Sequence, residues 1–358
     1  MKFLETGRPQ LILDEFRCKR NIDRMTSKAN QNQLLFRPHF KTHQSLVIGK
    51  WFKEAGVSAI TVSSVEMASY FASDGWNDIT IAFPSYKGQI SALKNLEITT
   101  KLRLFVNSKE QVSLLSKNLK KPFHVIIEID PGYGRSGINY NNSSQINEII
   151  NECQKSSLTK FDGFYIHDGR TYQSRNKEEI INQIEPVIEI LHSLKNLYPS
   201  AQCIMGDTPS CSVLDNFESV DVITPGNFVF YDWMQVCIGS CTIDDVALFC
   251  HIPIAQRIDN DKKLILHGGA VHLSKDSISS NGTVSYGQAV KYDEKQIEII
   301  DNLSIRSLSQ EHGIAIGNLN EIKGESLWIC PVHSCLTANL HSHYLTTTGK
   351  IIEKRILS

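Results

Sequence analysis

The 358-residue chain has no surplus of either charge, with 37 Lys and Arg against 38 Asp and Glu. A balanced surface offers no electrostatic footprint for nucleic acid or an anionic membrane, so a small molecule is the expected partner. Long apolar runs are also missing. No stretch approaches a bilayer span, and Met1 to Gln10 mixes charges with Gly and Pro and has no apolar signal core. These absences lead us to expect a cytoplasmic protein with no membrane partner. The nine cysteines are odd in number and scattered without a paired framework, so reduced thiols are expected. Cys237 and Cys241 lie four apart with no second pair and are expected to be ordinary buried thiols. No G-x-G-x-x-G follows the first apolar run, which weakens a dinucleotide-binding reading. Internal repeats and low-complexity linkers are absent as well.

From about residue 20 to 240, short apolar runs alternate with helical patterns, the mark of parallel βα units. Eight strands are expected: Leu34 to Phe40, Ala59 to Ser63, Ile79 to Phe83, Leu102 to Val106, His124 to Ile129, Phe161 to Ile166, Gln202 to Met205 and Val220 to Thr224. Between them, Ile146, Ile149, Ile150 and Cys153 fall on one helical face, as do Ile180, Ile184, Val187, Ile188 and Leu191. Pro186 is expected to kink the latter helix. Ser63-x-x-Glu66 reads as a capping box, which gives Glu66 to helix initiation. Eight units in this length fit a (β/α)8 barrel, whose usual size is about 250 residues, better than an open sheet.

After about Ile243 the rhythm changes to strand-like segments with no long helix between them: Val246 to Ile258, Leu264 to Leu273, Thr283 to Val290, Ile305 to Ser309, Ser326 to Cys330 and Leu345 to Ile356. Gly282, Gly287, Gly317 and Gly349 punctuate them. The expected organisation is a barrel over residues 14–242 and an antiparallel β domain made of 243–358 and the opening 1–13, in which Pro9 to Leu13 adds a strand.

Ligands of such a barrel bind where the strands end and the βα loops meet. Arg37-Pro-His-Phe-Lys-Thr-His43 follows the first strand directly. A lysine there, desolvated and crowded by Arg37, His39 and His43, is pushed toward the neutral amine, a nucleophile that forms Schiff bases with carbonyl compounds such as pyridoxal phosphate. Set against this is a plain solvated lysine at a strand end. Arg135 sits in a glycine-rich loop after the fifth strand, either aimed at an anionic oxygen or left on the surface. His167 and Tyr172 follow the sixth strand. After the seventh, Gly206 lets the backbone approach a phosphate, Thr208 and Ser210 supply hydroxyls, and Pro209 opens a short helix with free N–H groups. An ordinary turn is the alternative. Pro225, Gly226 and Asn227 follow the eighth strand. In the second domain, Cys330-Pro-Val-His333-Ser-Cys335 puts an imidazole and a thiol two residues apart, on one side of a strand-like or turn segment. Such a pair could hold one Zn²⁺ and leave positions open for water or substrate, with Cys330 as a candidate third ligand.

Together these motifs resemble the fold-type III pyridoxal-phosphate enzymes, in particular the D-serine dehydratase and D-threonine aldolase family with its alanine racemase-like barrel. The matching stretches are Arg37-Pro-His-x-Lys41-Thr-His, Asp130-x-Gly-x-x-Arg135-x-Gly, Gly206-x-Thr-Pro, Pro225-Gly-Asn-Phe-Val-Phe-Tyr231-Asp232, Ser309-Gln-Glu-His312-Gly and Pro331-x-His333-x-Cys335. Six motifs in the family's order are far more specific than any one alone. The resemblance implies that Lys41 forms the imine with pyridoxal 5'-phosphate and removes the substrate's α-proton. It further implies that Arg135 approaches the cofactor's O3′, and that Thr208 with the Gly226-Asn227 backbone holds the phosphate. His39, Tyr172, Gly206 and Tyr231 join this cofactor-binding set, and His167 is a second catalytic candidate. His333 and Cys335 are implied ligands of a divalent metal, Zn²⁺ or Mn²⁺, that helps the β-hydroxyl of a D-amino acid leave. A homodimer is implied as well. Cys335 favours a dehydratase, because family aldolases tend to offer a carboxylate there. D-threonine aldolase is the closest alternative, followed by a racemase and a non-catalytic pyridoxal-phosphate carrier. Two departures leave the choice of D-amino acid open: Gln44 stands where a second lysine is common, and His267 where the family usually has aspartate. His267 and His272 read either as added site groups or as strand residues of a divergent branch.

Overall fold

A computed structural model describes residues 7–280 and 282–355. The ends of the expected β domain, residues 1–6 and 356–358, lie outside the described residues, as does the last residue of the expected strand Leu345 to Ile356. The chain forms two compact units, a barrel unit of Arg24–Lys41 and Gly49–Gly226, and a β unit of Met1–Asp23, Thr42–Ile48 and Asn227–Ser358.

The barrel unit is built on parallel strands Leu35–Phe36, Ile60–Val62, Asp78–Pro84, Lys101–Val106, Phe123–Asp130, Thr159–Ile166, Gln202–Met205 and Val222–Ile223. All eight expected strands are present. The first pairs with the eighth, and a parallel bridge between His39 and Thr61 closes the ring. Phe40 donates its N–H to the Thr61 carbonyl at 2.9 Å, and Thr61 donates to Pro38 at 3.0 Å. The apolar runs are nearly continuous because strands covered on both faces bury most of their side chains. Phe105, Ile126, Tyr165, Ile204 and Val222 pack together from neighbouring strands. Ile146, Ile149 and Cys153 bury the inner face of helix Ser143–Gln154. Helix Lys177–Leu197 runs unbroken through Pro186; that residue is exposed, so its missing donor falls on the solvent side. The capping serine of helix Val65–Ala72 is Ser64 rather than Ser63, accepting from the Met67 N–H at 3.1 Å.

The β unit contains a closed ring of antiparallel strands, in order Leu248–Ile258, Lys263–His267, His312–Ile316, Ile297–Leu308, Gly287–Tyr292 and Ser326–Pro331, which returns to the first. Gln10–Leu13 pairs antiparallel with Leu248–Ile258 and parallel with His343–Thr346, so the opening segment does add a strand. The expected strand Leu264 to Leu273 ends at His267 and gives way to the short helix Ala270–Leu273. Ile305 to Ser309 is the end of a longer strand, and Leu345 to Ile356 divides into two strands about Gly349, whose φ is +86°. Tyr292 stacks on Trp328 with centroids 4.4 Å apart. All nine cysteines are free of disulfides, but Cys237 is exposed and Cys241 half-buried, contrary to the expectation of buried thiols. Cys237 is the last residue of helix Trp233–Cys237, where the chain turns outward. Among the described residues no helix is long and apolar enough to cross a membrane.

Candidate active site

In the barrel unit the chemistry collects at the strand ends. His39 is buried, and its Nδ1 accepts the Lys41 N–H at 3.4 Å. Burial, followed by the charges of Lys41, His167 and Arg135, holds its imidazole well below the ordinary range. These four side chains, drawn from three βα loops, are thus close enough to repel one another. Lys41 itself is exposed, which corrects the expectation of a desolvated amine, because it lies past the last bridge of its strand. Arg37 does not crowd it either. Its Nη1 binds Asp78 Oδ1 at 2.7 Å, in a network where Arg103 also binds Asp78 and reaches Asp162 at 2.8 Å. Burial opposes ionisation of Asp162, but His124 and Arg103 outweigh it and hold its carboxyl down at about 2. Asp78 opens its strand, the end of a barrel where ion pairs serve stability rather than ligand binding.

Arg135 is exposed, 3.8 Å from Glu128, whose carboxylate also accepts from the Ser136 hydroxyl at 2.7 Å. Asp130 anchors this loop by accepting the N–H groups of Gly132 and Gly134 at 2.9 and 3.0 Å. His167 donates from Nδ1 to the Gly206 carbonyl, which leaves Nε2 as the acceptor nitrogen of the neutral ring. Burial, then Arg135, pushes its imidazole down to about 3, so it is neutral near pH 7. Tyr172 OH accepts the Thr208 N–H at 3.3 Å, and Asp207 accepts the Ser210 N–H at 2.8 Å. Two N–H groups expected to be free at the start of helix Thr208–Val213 are therefore already used. A Cβ on Gly206 would lie 2.3 Å from the Tyr165 hydroxyl and 2.5 Å from Thr224 Oγ1, so this glycine admits protein side chains to its backbone. Thr208 Oγ1 is buried without a hydrogen-bond partner, as a hydroxyl reserved for an anionic ligand would be. Gly226 is buried and follows Pro225, whose carbonyl accepts the His39 N–H at 2.9 Å. Orphan hydroxyl, amine, guanidinium and neutral imidazoles together fit a phosphorylated aldehyde cofactor.

In the β unit, strand Ser326–Pro331 ends before His333, which is the N-cap of helix Ser334–Asn339. The helix start, not strand alternation, brings His333 and Cys335 to one side. His333 Nδ1 binds Asp276 Oδ2 at 2.7 Å. Burial disfavours its cation, but Asp276 and the hydrogen-bonded Cys335 side chain outweigh that and raise it to about 11. Thr42 Oγ1 lies 3.2 Å from Cys335 Sγ, and Asn227 Nδ2 donates to the same sulfur at 3.6 Å. Asn227 also donates to Asp232 at 2.6 Å, so its side chain serves the thiol cluster. Tyr231 is buried with φ at +47° and donates its N–H to the Asn227 carbonyl at 2.8 Å. Cys330 is buried in its strand with its thiol toward the Pro331 carbonyl. Among the described residues no group of three His, Cys, Asp or Glu side chains is placed to hold a metal. The donor set that remains, one imidazole with its far nitrogen held by a carboxylate and one thiol, fits a divalent ion that keeps open positions. His267 is exposed at a strand end, and His272 lies 3.9 Å from Glu311 with its Nδ1 accepting the Gly269 N–H at 3.3 Å. Asp276 and Thr42 were missed by sequence reading; an aspartate near a histidine-rich turn was the available signal for the first.

The fold has counterparts among known proteins. Residues 13–232 match the family model "Alanine racemase, N-terminal domain", and residues 247–347 match "Putative serine dehydratase domain". A D-serine dehydratase of Dictyostelium discoideum is 26% identical over 93% of this chain and 91% of its own length. The solved D-threo-3-hydroxyaspartate dehydratase from Delftia sp. HT23 is 23% identical, covers 98% of each chain and superposes with a TM-score of 0.87. A Cys-to-Ala mutant of a D-threo-3-hydroxyaspartate dehydratase in the metal-free form gives a TM-score of 0.84 at 23% identity, with 98% of each chain covered. With the first family model spanning more than half of its residues, the chain belongs to the fold-type III pyridoxal-phosphate family, in the alanine racemase-like group whose barrel is followed by a serine dehydratase domain.

Proposed function

We propose that the protein is a pyridoxal-phosphate- and divalent-metal-dependent lyase that converts D-β-hydroxy amino acids to the keto acid and ammonia, with D-serine as the leading substrate. The observation that carries the choice is the thiol at Cys335, held by Thr42 and Asn227 beside a carboxylate-oriented His333. When bound, pyridoxal phosphate supplies an electron sink that makes the α-proton acidic, and a metal ion supplies a Lewis acid for the leaving hydroxyl. Lys41 would hold the cofactor through Nζ and, once the substrate's own amine has displaced it, the freed Nζ would accept the α-proton. Thr208 Oγ1, with the Gly226-Asn227 backbone, takes the phosphate, Gly206 lets Tyr165 and Thr224 pack against the loop that carries Thr208, and Tyr172 fixes the Thr208 N–H. Arg135 directs its guanidinium to the cofactor's phenolic oxygen, while His39 and Tyr231 complete the surroundings. His333 and Cys335 would hold the metal, with Zn²⁺ favoured over Mn²⁺ by the sulfur donor.

His167, neutral with a pKa of about 3, is a poor general base near pH 7, where an efficient base needs a pKa close to the working pH. Its place is that of an acceptor at Nε2. An aldol cleavage, which needs the substrate hydroxyl deprotonated, gains little from it. The reading also includes a cytoplasmic location, in keeping with nine reduced thiols, and a homodimer.

The test uses purified protein with pyridoxal phosphate and Zn²⁺, offered D-serine and D-threonine. Pyruvate from D-serine, abolished by EDTA and restored by metal, is the expected result. Glycine and acetaldehyde from D-threonine would assign an aldolase instead, and no product from either would leave a cofactor carrier. Lys41→Ala should remove the cofactor–lysine absorption band; a band that persists contradicts the role given to Lys41.

A further inference from the structure

Asp276 lies outside every motif that carries the family likeness, yet its carboxylate makes the 2.7 Å hydrogen bond to His333 Nδ1. Three features of the β unit aim it there. Helix Ala270–Leu273 ends at Ser274, whose backbone stands at φ +69°, ψ 177°, a region essentially confined to glycine that costs on the order of 1–3 kcal/mol. The turn is closed by the Asp276 N–H donating to Ser274 Oγ at 3.2 Å. Thr337 Oγ1, in the helix that carries Cys335, donates to the Leu273 carbonyl at 2.9 Å and fixes the turn to that helix. Strain of this kind persists where the surrounding structure over-determines it, at sites that need a side chain held in one direction.

Resting on the metal role given above to His333 and Cys335, we propose that Asp276 is a positioning residue for His333. Its carboxylate keeps the proton on Nδ1 and presents Nε2 as the metal-binding atom. An imidazole has two ring nitrogens, and the partner of one decides which tautomer the other shows. The sulfur has two contacts of its own, to Thr42 and Asn227, which replacement of Asp276 leaves in place. Asp276 is about two-fifths exposed, at 41% of its side chain, and the turn tolerates its truncation.

The experiment titrates the pyridoxal-phosphate-loaded protein with Co²⁺ and follows the thiolate-to-cobalt charge-transfer and d–d bands, with Zn²⁺ competition giving the second affinity. Asp276→Ala should weaken Co²⁺ and Zn²⁺ binding by roughly 10- to 100-fold and shift the d–d bands while the sulfur charge-transfer band remains. Asp276→Asn should also weaken binding, because its amide can donate to Nδ1 and move the proton to Nε2. The cofactor–lysine band serves as the fold control in both. Wild-type affinity and an unchanged cobalt spectrum in Asp276→Ala overturn the inference. Should that variant lose the cofactor band, Asp276→Asn decides, and an affinity within twofold of wild type there overturns it. A wild-type protein that binds no Co²⁺ sinks the metal reading together with this one, whereas loss in His333→Ala but not in the Asp276 variants removes only the positioning role.

Discussion

Thr208 shows how a single side chain can report a missing partner. Its hydroxyl is buried and unsatisfied, and a buried polar group without a hydrogen bond costs about 1–3 kcal/mol, so the site keeps it for a ligand. Thr208→Val, which preserves shape, should weaken pyridoxal-phosphate binding by about 1 kcal/mol, roughly five- to tenfold, measured by fluorescence titration, while the cofactor-free protein melts no lower than wild type. Equal affinity would remove Thr208 from the phosphate site. The roles of single residues were only partly legible in the sequence. Lys41, Arg135, Gly206 and Thr208 stand where strand ends place them, so motif and topology agreed. Arg37 was misread because its partner Asp78 lies 41 positions away, and an ion pair between distant strands leaves no local pattern. Asp276 was invisible for the same reason, its histidine being 57 positions on.

Element by element, the barrel strands were legible because a parallel strand buried on both faces must be apolar throughout. The short helices were not, since Ser334–Asn339 and Ala270–Leu273 have too few residues for a 3.6-residue period to emerge from a strand-like run. Both site-bearing helices end alike. Lys28 donates to the carbonyls of Ser212 and Leu214 at 2.6 and 2.8 Å, closing helix Thr208–Val213. Lys354, buried, donates to the carbonyls of Ala338 and His341 and closes helix Ser334–Asn339. An ammonium there satisfies orphan carbonyls and complements the negative end of the helix. Lys354→Met should lower stability by about 1–3 kcal/mol, seen in chemical denaturation; an unchanged midpoint would mean that water takes over the caps. Gly163 marks a tight strand contact in the barrel unit, where a Cβ would sit 2.0 Å from the Gln202 carbonyl oxygen. Gly163→Ala should therefore destabilise by roughly 1–3 kcal/mol.

At the scale of the molecule, acid should be the weak side. Burial holds His43 and His167 at about 3 and His341 at about 4, against an ordinary 6.5. Between those values the unfolded chain binds more protons than the folded one, so stability falls as pH drops from 6.5 toward 4. Asp207 acts oppositely: burial raises its carboxyl from 3.8 to about 6, so its protonation below pH 6 favours the fold. Asp232, lifted by burial too, adds to Asp207, but His39 is lowered along with the other three imidazoles, and the histidines outweigh the two aspartates. The melting temperature should fall between pH 7 and 4.5, and His341→Asn should flatten that slope. A melting temperature that holds steady to pH 4.5 would show that these imidazoles charge without unfolding.

The opening strand Gln10–Leu13 finds its ladder partners at Leu248–Ile258 and His343–Thr346. During synthesis on the ribosome it must wait, with an unpaired edge, until more than two hundred further residues have emerged. Truncation before Leu248 would strand it permanently and truncation between Ile258 and Thr346 would leave one of its two edges bare, so a need for chaperones in prematurely terminated chains is built into the way this polypeptide is threaded.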